Sequence, residues 1–66
     1  MNITLNGEHH VIESGTSLQQ LLDALQVNCD ALVVQRNDDI VARVQFPDTS
    51  LEDGDTLELV RFVGGG

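Results

Sequence analysis

The sequence contains no lysine, tryptophan or tyrosine, and it has a single cysteine and a single proline among its 66 residues. Because Cys29 stands alone, an internal disulfide is excluded, and an unpaired thiol fits a reducing compartment. One cysteine with His9 and His10 provides too few ligands for a metal cluster. Neighbours in a strand also point to opposite faces, so the two histidines cannot chelate one ion together.

Basic residues are scarce: three arginines stand against eleven acidic residues, giving a formal net charge of -8. Such a surface repels nucleic acid and anionic membranes. A partner with a basic docking face is its natural complement, and long-range attraction would speed their encounter. Acidic charge also keeps a small protein soluble, so the charge excludes partners better than it identifies them.

Long apolar runs are missing too. Nothing approaches the length of a membrane span, and there is no segment with the basic and apolar parts of a signal peptide, so we expect a cytoplasmic protein. Hydrophobic residues make up 41% of the chain, enough for one small core. We expect a single domain over residues 1–63 and a flexible glycine tail over residues 64–66.

The first strands are predicted from alternation and a turn motif. Met1, Ile3 and Leu5 alternate with polar residues, as in a half-buried strand. Asn6-Gly7 is a strong signal for a tight hairpin turn, because both turn positions need positive φ. A second strand is then predicted over residues 8–12, with Ile12 favoured as its inward residue.

A helix is predicted next. Ser17 and Gln20 have the spacing of a capping box, in which each side chain satisfies a free backbone donor of the other residue. Leucines at helical spacing predict the core-facing stripe of a helix of two to three turns: Leu18, Leu21, Leu22 and Leu25.

The second half of the chain predicts three more strands. Residues 31–36 are rich in β-branched side chains, residues 37–39 form a turn, and residues 40–42 form a short fourth strand. Residues 46–48 are expected to be irregular, with Leu51 anchoring the loop to the core. Residues 53–55 form a tight turn into the last strand.

The predicted fold class is therefore α+β, in the order β-β-α-β-β-β, with one helix covering one face of one sheet. The other face is left open to solvent or to a partner. In the last strand, Leu57 and Leu59 are expected to pack under the helix. Val60 and Phe62 then lie on the open face, where they are typical of a docking patch, although scattered exposed apolar residues are also ordinary.

Catalysis by this chain is not expected. The sequence has no serine-histidine-acid set at interpretable spacing and no phosphate-binding glycine loop, and it is too short to enclose a pocket. Cys29 has no basic neighbour in sequence to activate its thiol, and the acidic Asp30 lies beside it. The best reactive group is the terminal carboxylate of Gly66, which is preceded by Gly64 and Gly65. Three extended glycines reach roughly 10 Å, so this carboxylate could enter another protein's active site.

Several motifs, in their order and spacing, carry a resemblance to a known family. They are Ile3-Thr4-Leu5-Asn6-Gly7, Gly15-Thr16-Ser17-Leu18, Val33-Val34-Gln35-Arg36-Asn37, Ile40-Val41-Ala42-Arg43, Leu51-Glu52-Asp53-Gly54-Asp55 and Val63-Gly64-Gly65-Gly66. Over its whole length the chain resembles the ThiS family, the ubiquitin-like sulfur carriers of thiamine biosynthesis. The resemblance implies a β-grasp fold with a mixed sheet.

The resemblance also implies a reaction cycle. A ThiF-like, E1-like enzyme adenylates the terminal glycine with ATP and magnesium, which this chain itself does not bind. A persulfide donor such as a cysteine desulfurase supplies sulfur to form a thiocarboxylate, and a ThiG-like thiazole synthase takes that sulfur. Carried over, Gly66 bears the sulfur, Gly64 and Gly65 thread into the partner, and Val60 and Phe62 dock.

Three alternatives stay open. The chain could carry sulfur for another product, as the small subunit of molybdopterin synthase does. It could modify other proteins through the same tail, although without lysine it cannot form chains on its own side chains. It could also be a binding module whose glycine tail is inert.

Overall fold

The computed structural model describes residues 1–61. The predicted docking residue Phe62 and the predicted tail residues Gly64, Gly65 and Gly66 lie outside the described residues. The elements are, in chain order, β1 (Asn2–Leu5), β2 (Glu8–Val11), α1 (Leu18–Ala24), β3 (Leu32–Arg36), β4 (Asp39–Val41), a 3-10 helix (Arg43–Asp48) and β5 (Thr56–Arg61).

The five strands form one mixed sheet in the order β2-β1-β5-β3-β4. β1 and β5 are adjacent and parallel. β1 also pairs with β2 in an antiparallel hairpin, and β5 pairs antiparallel with β3, the first strand of the β3–β4 hairpin. α1 packs on one face of this sheet. The predicted α+β class, with its β-grasp order and one covered face, is confirmed.

The first hairpin follows the sequence prediction closely. Asn6 and Gly7 have φ of 49° and 82°, the positive values that this two-residue turn needs. β2 ends at Val11, one residue earlier than predicted. Ile12 packs against the core while Val11 is 72% exposed, so the favoured inward residue is correct.

α1 begins where its capping box predicts. The Gln20 backbone N–H donates to the Ser17 hydroxyl oxygen at 3.1 Å, and the Ser17 N–H donates to the Gln20 side-chain oxygen at 2.9 Å. Three of the four stripe leucines are buried. The fourth, Leu25, is the C-cap and is 39% exposed, because the helix has ended there.

The segment around Phe46 departs from the prediction of irregular structure. It forms a 3-10 helix that packs against α1, and the Phe46 side chain is fully buried. The physical reason is size: α1 has only seven residues, so a second element is needed to cover the same face of the sheet. Leu51 is buried, as predicted.

The turn between β3 and β4 is one residue shorter than predicted. Asn37 and Asp38 have positive φ of 49° and 74°, whereas Asp39 already belongs to β4. Two residues at positive φ form the tight connection that suits the twist of a hairpin. Among residues 1–61, no helix has the length and apolar character needed to cross a membrane.

Candidate functional site

β5 is the central strand of the sheet and the element that leads toward the terminal glycines. It is parallel to β1, with Leu5 opposite Leu57, and antiparallel to β3, with Leu32 opposite Arg61. Because β3 pairs with β5 as far as Arg61, the backbone is fixed by its neighbours up to the last described residue. The start of the strand and its middle are each secured by a side chain from another element.

The start of β5 is secured by Asp55, a carboxylate that is only 4% exposed. Its oxygens accept hydrogen bonds from Arg36 Nε and Asn37 Nδ2, both at 2.9 Å, and from the Glu52 N–H at 2.8 Å. The same Asn37 accepts from the Thr56 N–H at 2.9 Å. These bonds join the β3–β4 turn to the turn that begins β5.

The pKa of Asp55 reflects this environment. Burial is the largest single influence and raises the pKa. The hydrogen bonds from Glu52, Asn37 and Arg36, together with the charge of Arg36, outweigh burial, so the pKa is lowered overall. The group is therefore a carboxylate with a structural role at neutral pH, paired with Arg36.

The middle of β5 is secured by Asn6. The Asn6 N–H donates to the Leu57 carbonyl at 2.9 Å, and the Leu59 N–H donates to the Asn6 side-chain oxygen at 2.7 Å. The side-chain amide thus continues the β1–β5 ladder after β1 has turned away. A residue identified in the sequence only as a turn former also holds the strand that leads to the tail.

The strand register shows which side chains lie on the open face of the sheet. Val60 lies opposite Val33, and Glu58 lies opposite Gln35. Val60 is 49% exposed, whereas Leu57 is fully buried and Leu59 packs against the core. The two faces of β5 are therefore arranged as the sequence predicts. The docking role proposed for Val60 stays a prediction.

Charged groups are distributed unequally between the two faces. Arg36 and Arg61 lie in register with Leu57 and Leu32, which places both arginines on the helix side of the sheet. Arg43 belongs to the 3-10 helix and pairs with Asp30 at 3.0 Å. The open face instead has a shallow cavity of about 460 Å³, lined by Gln35, Asn37, Asp38, Thr56 and Glu58.

Cysteine and histidine are not assembled into a site within the described part of the chain. The Cys29 thiol is half-buried, with Sγ at 3.8 Å from the Val27 carbonyl oxygen. His9 and His10 lie opposite Thr4 and Ile3, hence on different faces. Residues 1–61 contain no group of three or more potential ligands placed to hold a metal ion.

Sequence reasoning missed the role of Asp55, which it treated as a turn residue. One feature of the sequence points to it. Arg36 lies two residues after Val34 in the same strand, and Val34 is buried, so both side chains face the helix side. An arginine in that position needs a carboxylate partner. The sequence does not say which of eleven acidic residues that partner is.

Comparisons with known proteins agree on one family. The family model described as the ThiS family matches residues 2–66. The sulfur carrier protein ThiS of Bacillus subtilis is 34% identical over 65 residues, which are 97% of this chain and 98% of that protein. The crystal structure of a thiamine biosynthesis protein (ThiS) from Geobacter metallireducens has a TM-score of 0.87 and 33% identity, with 100% of both chains covered.

Some relatives are much longer. A thiazole synthase of Magnetococcus marinus is 41% identical over 66 residues, and one of Paramagnetospirillum magneticum is 35% identical over 66 residues. The match takes in 100% of this chain but 20% of each of those proteins. The chain therefore spans about a fifth of the length of these relatives.

Proposed function

The chain belongs to the ThiS family of sulfur carriers in thiamine biosynthesis, and we propose that it carries sulfur as a thiocarboxylate on Gly66. The observation that supports this most is the family match over residues 2–66, which includes the three terminal glycines. A carboxylate is the one group of a glycine terminus that can be activated and then exchanged for sulfur.

The proposed chemistry has three steps. An oxygen of the Gly66 carboxylate attacks the α-phosphorus of ATP on a ThiF-like partner, forming an acyl adenylate and releasing pyrophosphate. Persulfide sulfur from a cysteine desulfurase then attacks the carbonyl carbon, and AMP leaves. Cleavage of the sulfur–sulfur bond by a thiol leaves the thiocarboxylate. ATP and magnesium belong to the partner in this scheme.

This chain supplies the carboxylate and its positioning. β5 is held at its start by Asp55 and in its middle by Asn6, so its direction is fixed relative to the rest of the sheet. A fixed strand before the glycines lowers the entropy cost of presenting the carboxylate to an active site. We propose that Gly64 and Gly65 pass through a narrow entrance where a side chain would collide.

We propose a ThiG-like thiazole synthase as the acceptor of the sulfur. In the two relatives named thiazole synthase, a segment similar to this whole chain makes up 20% of the protein. Placing a carrier and its acceptor in one polypeptide raises their effective concentration and requires no new contact. That arrangement supports a functional pairing of the two activities.

The experiment combines the chain with a ThiF-like enzyme, ATP, magnesium and a sulfide source, and measures intact mass. We expect a gain of about 16 Da, for one oxygen replaced by sulfur on an activated acyl group. Deleting Gly66, or adding an alanine after it, should abolish the gain, because each residue moves the carboxylate by roughly 3.3 Å. Cys29→Ser is the matched control and should load normally.

The same experiment separates the alternatives. Covalent attachment to other proteins would identify a protein modifier, and an unchanged mass would identify an inert module. A thiocarboxylate that thiazole synthase cannot use would assign the carrier to another product, such as molybdopterin. Loss of sulfur in Cys29→Ser with normal loading of the Gly66 deletion would make the thiol the carrier and overturn the proposal.

Docking is proposed to use the open face through Val60 and Phe62. Val60→Ser should weaken the complex with the adenylating enzyme while changing the free energy of unfolding by less than about 1 kcal/mol, as for most surface changes. Val44→Ser is the control, because Val44 is 81% exposed and belongs to the 3-10 helix, which packs beside α1 on the covered side of the sheet. Equal affinities for the two variants would contradict the assigned surface.

A further inference from the structure

We propose that the open face docks a partner surface with an apolar centre and an adjoining arginine or lysine, and that Glu58 is the carboxylate that receives this cation. The inference rests on the proposed function and specifies the chemistry of the adenylating partner. It follows from how the strand register sorts apolar, acidic and basic side chains between the two faces of the sheet.

The apolar part of this surface is formed by the central and edge strands. Val33 and Val60 are directly opposite each other on β3 and β5. Ile40 of β4 lies opposite Gln35 and is 74% exposed. A partner that covers these three side chains removes apolar area from water, which favours association.

The acidic part adjoins it. Glu58 is exposed, lies two residues before Val60 on the same face, and lines the cavity of about 460 Å³ together with Asp38. The described residues place neither carboxylate in an ion pair, since the pairs they form involve Glu8, Asp55 and Asp30. Both carboxylates are therefore solvated in the free protein.

Covering the apolar residues would also remove water from Glu58. Removing water from a carboxylate costs several kcal/mol of free energy unless an opposite charge or hydrogen-bond donors replace that water. None of the chain's arginines is placed to do so: Arg36 and Arg61 lie on the helix side, and Arg43 pairs with Asp30. The cation must come from the partner.

A second copy of the chain does not meet this requirement. A twofold contact through the open face brings the same surface from both copies together. Both surfaces would then carry Glu58 and Asp38 and neither would carry an arginine, so the carboxylates would lose water without gaining a cation. The surface favours a basic partner over self-association, in line with the net charge of -8.

The test compares two charge reversals that change the net charge equally. Glu58→Lys alters the proposed contact, and Glu13→Lys alters an exposed carboxylate in the connection after β2. Affinity for the ThiF-like enzyme is measured by titration calorimetry at several salt concentrations, after melting curves confirm that both variants fold. We expect Glu58→Lys to raise the Kd at least tenfold more than Glu13→Lys does at low salt, and this gap to narrow as salt rises, because screening weakens the repulsion between the new lysine and the partner's cation.

A rescue identifies the cation. Arginines and lysines on the partner's docking surface are changed singly to glutamate, and one of these changes should restore affinity for Glu58→Lys while weakening the wild-type complex. Equal effects of Glu58→Lys and Glu13→Lys, or the absence of any rescue, would overturn the inference. Failure of the proposed function is distinguishable, since the wild-type chain would then gain no sulfur.

Discussion

At the scale of single residues, Asn6 meets two demands at one position. Its backbone adopts positive φ in the hairpin turn, and its side-chain oxygen accepts the Leu59 N–H. Asparagine is among the few non-glycine residues that tolerate positive φ. Its short side chain also ends in an amide, whose oxygen here reaches the Leu59 N–H. The turn and the strand before the tail therefore depend on the same side chain.

Two substitutions separate the demands. Asn6→Gly keeps the turn conformation and removes the bond to Leu59, so we expect a loss of about 1 kcal/mol in unfolding free energy. Asn6→Ala should lose roughly 1 kcal/mol more, because alanine is strained at positive φ. Amide hydrogen exchange at Leu59 should be faster in both variants. Unchanged protection of Leu59 would contradict the role assigned to the side chain.

Asp55 is the other residue on which β5 depends, and its lowered pKa makes a pH prediction. The folded-state pKa lies below the unfolded value of 3.8, so the folded state binds fewer protons. The stabilisation is therefore complete above about pH 4 to 5 and is lost as the pH falls through the folded-state pKa. Asp55→Asn should cost about 1 to 3 kcal/mol at neutral pH.

Urea denaturation at several pH values checks this prediction. The difference in stability between wild type and Asp55→Asn should shrink as the solution becomes acidic, because the wild-type carboxylate is then neutral as well. Asp48→Asn is the control, since Asp48 is exposed at the end of the 3-10 helix. A constant difference at all pH values would mean that the pKa of Asp55 is the same in the folded and unfolded states.

At the scale of elements, the 3-10 helix completes the layer that covers the sheet. Phe46 is fully buried beside α1, and Val44 in the same helix is 81% exposed. Phe46→Ala should therefore cost about 3 to 5 kcal/mol by leaving a cavity, whereas Val44→Ala should change stability by less than about 0.5 kcal/mol. Equal costs in denaturation experiments would show that this helix is not part of the core.

The elements that the sequence predicts well are those with local causes. Asn6-Gly7 specifies its turn through positive φ, and Ser17 with Gln20 specifies the start of α1 through reciprocal capping bonds. The burial of Phe46 cannot be predicted from its local sequence, because it depends on how little of the sheet α1 covers. The partner of Asp55 is equally non-local, since Arg36 lies 19 residues away in sequence.

At the scale of the whole molecule, charge opposes folding and favours docking. Eleven acidic residues and three arginines share a chain of 7.2 kDa with a pI of about 4.1. Their mutual repulsion raises the free energy of the compact state at neutral pH. The described ion pairs that offset it involve two arginines, with Asp55 and Asp30 as their partners.

Salt should therefore stabilise this protein. Screening weakens repulsion among exposed carboxylates more than it weakens the largely buried Arg36–Asp55 pair, so the melting temperature should rise between about 0.01 and 0.5 M NaCl. The double variant Glu13→Lys, Asp48→Lys is the matched control. Each change removes one negative and adds one positive charge, which takes the net charge from -8 to -4. Its melting temperature should be higher at low salt and should respond less to NaCl, whereas a wild-type melting temperature that falls with salt would show that attractive pairs outweigh the repulsion.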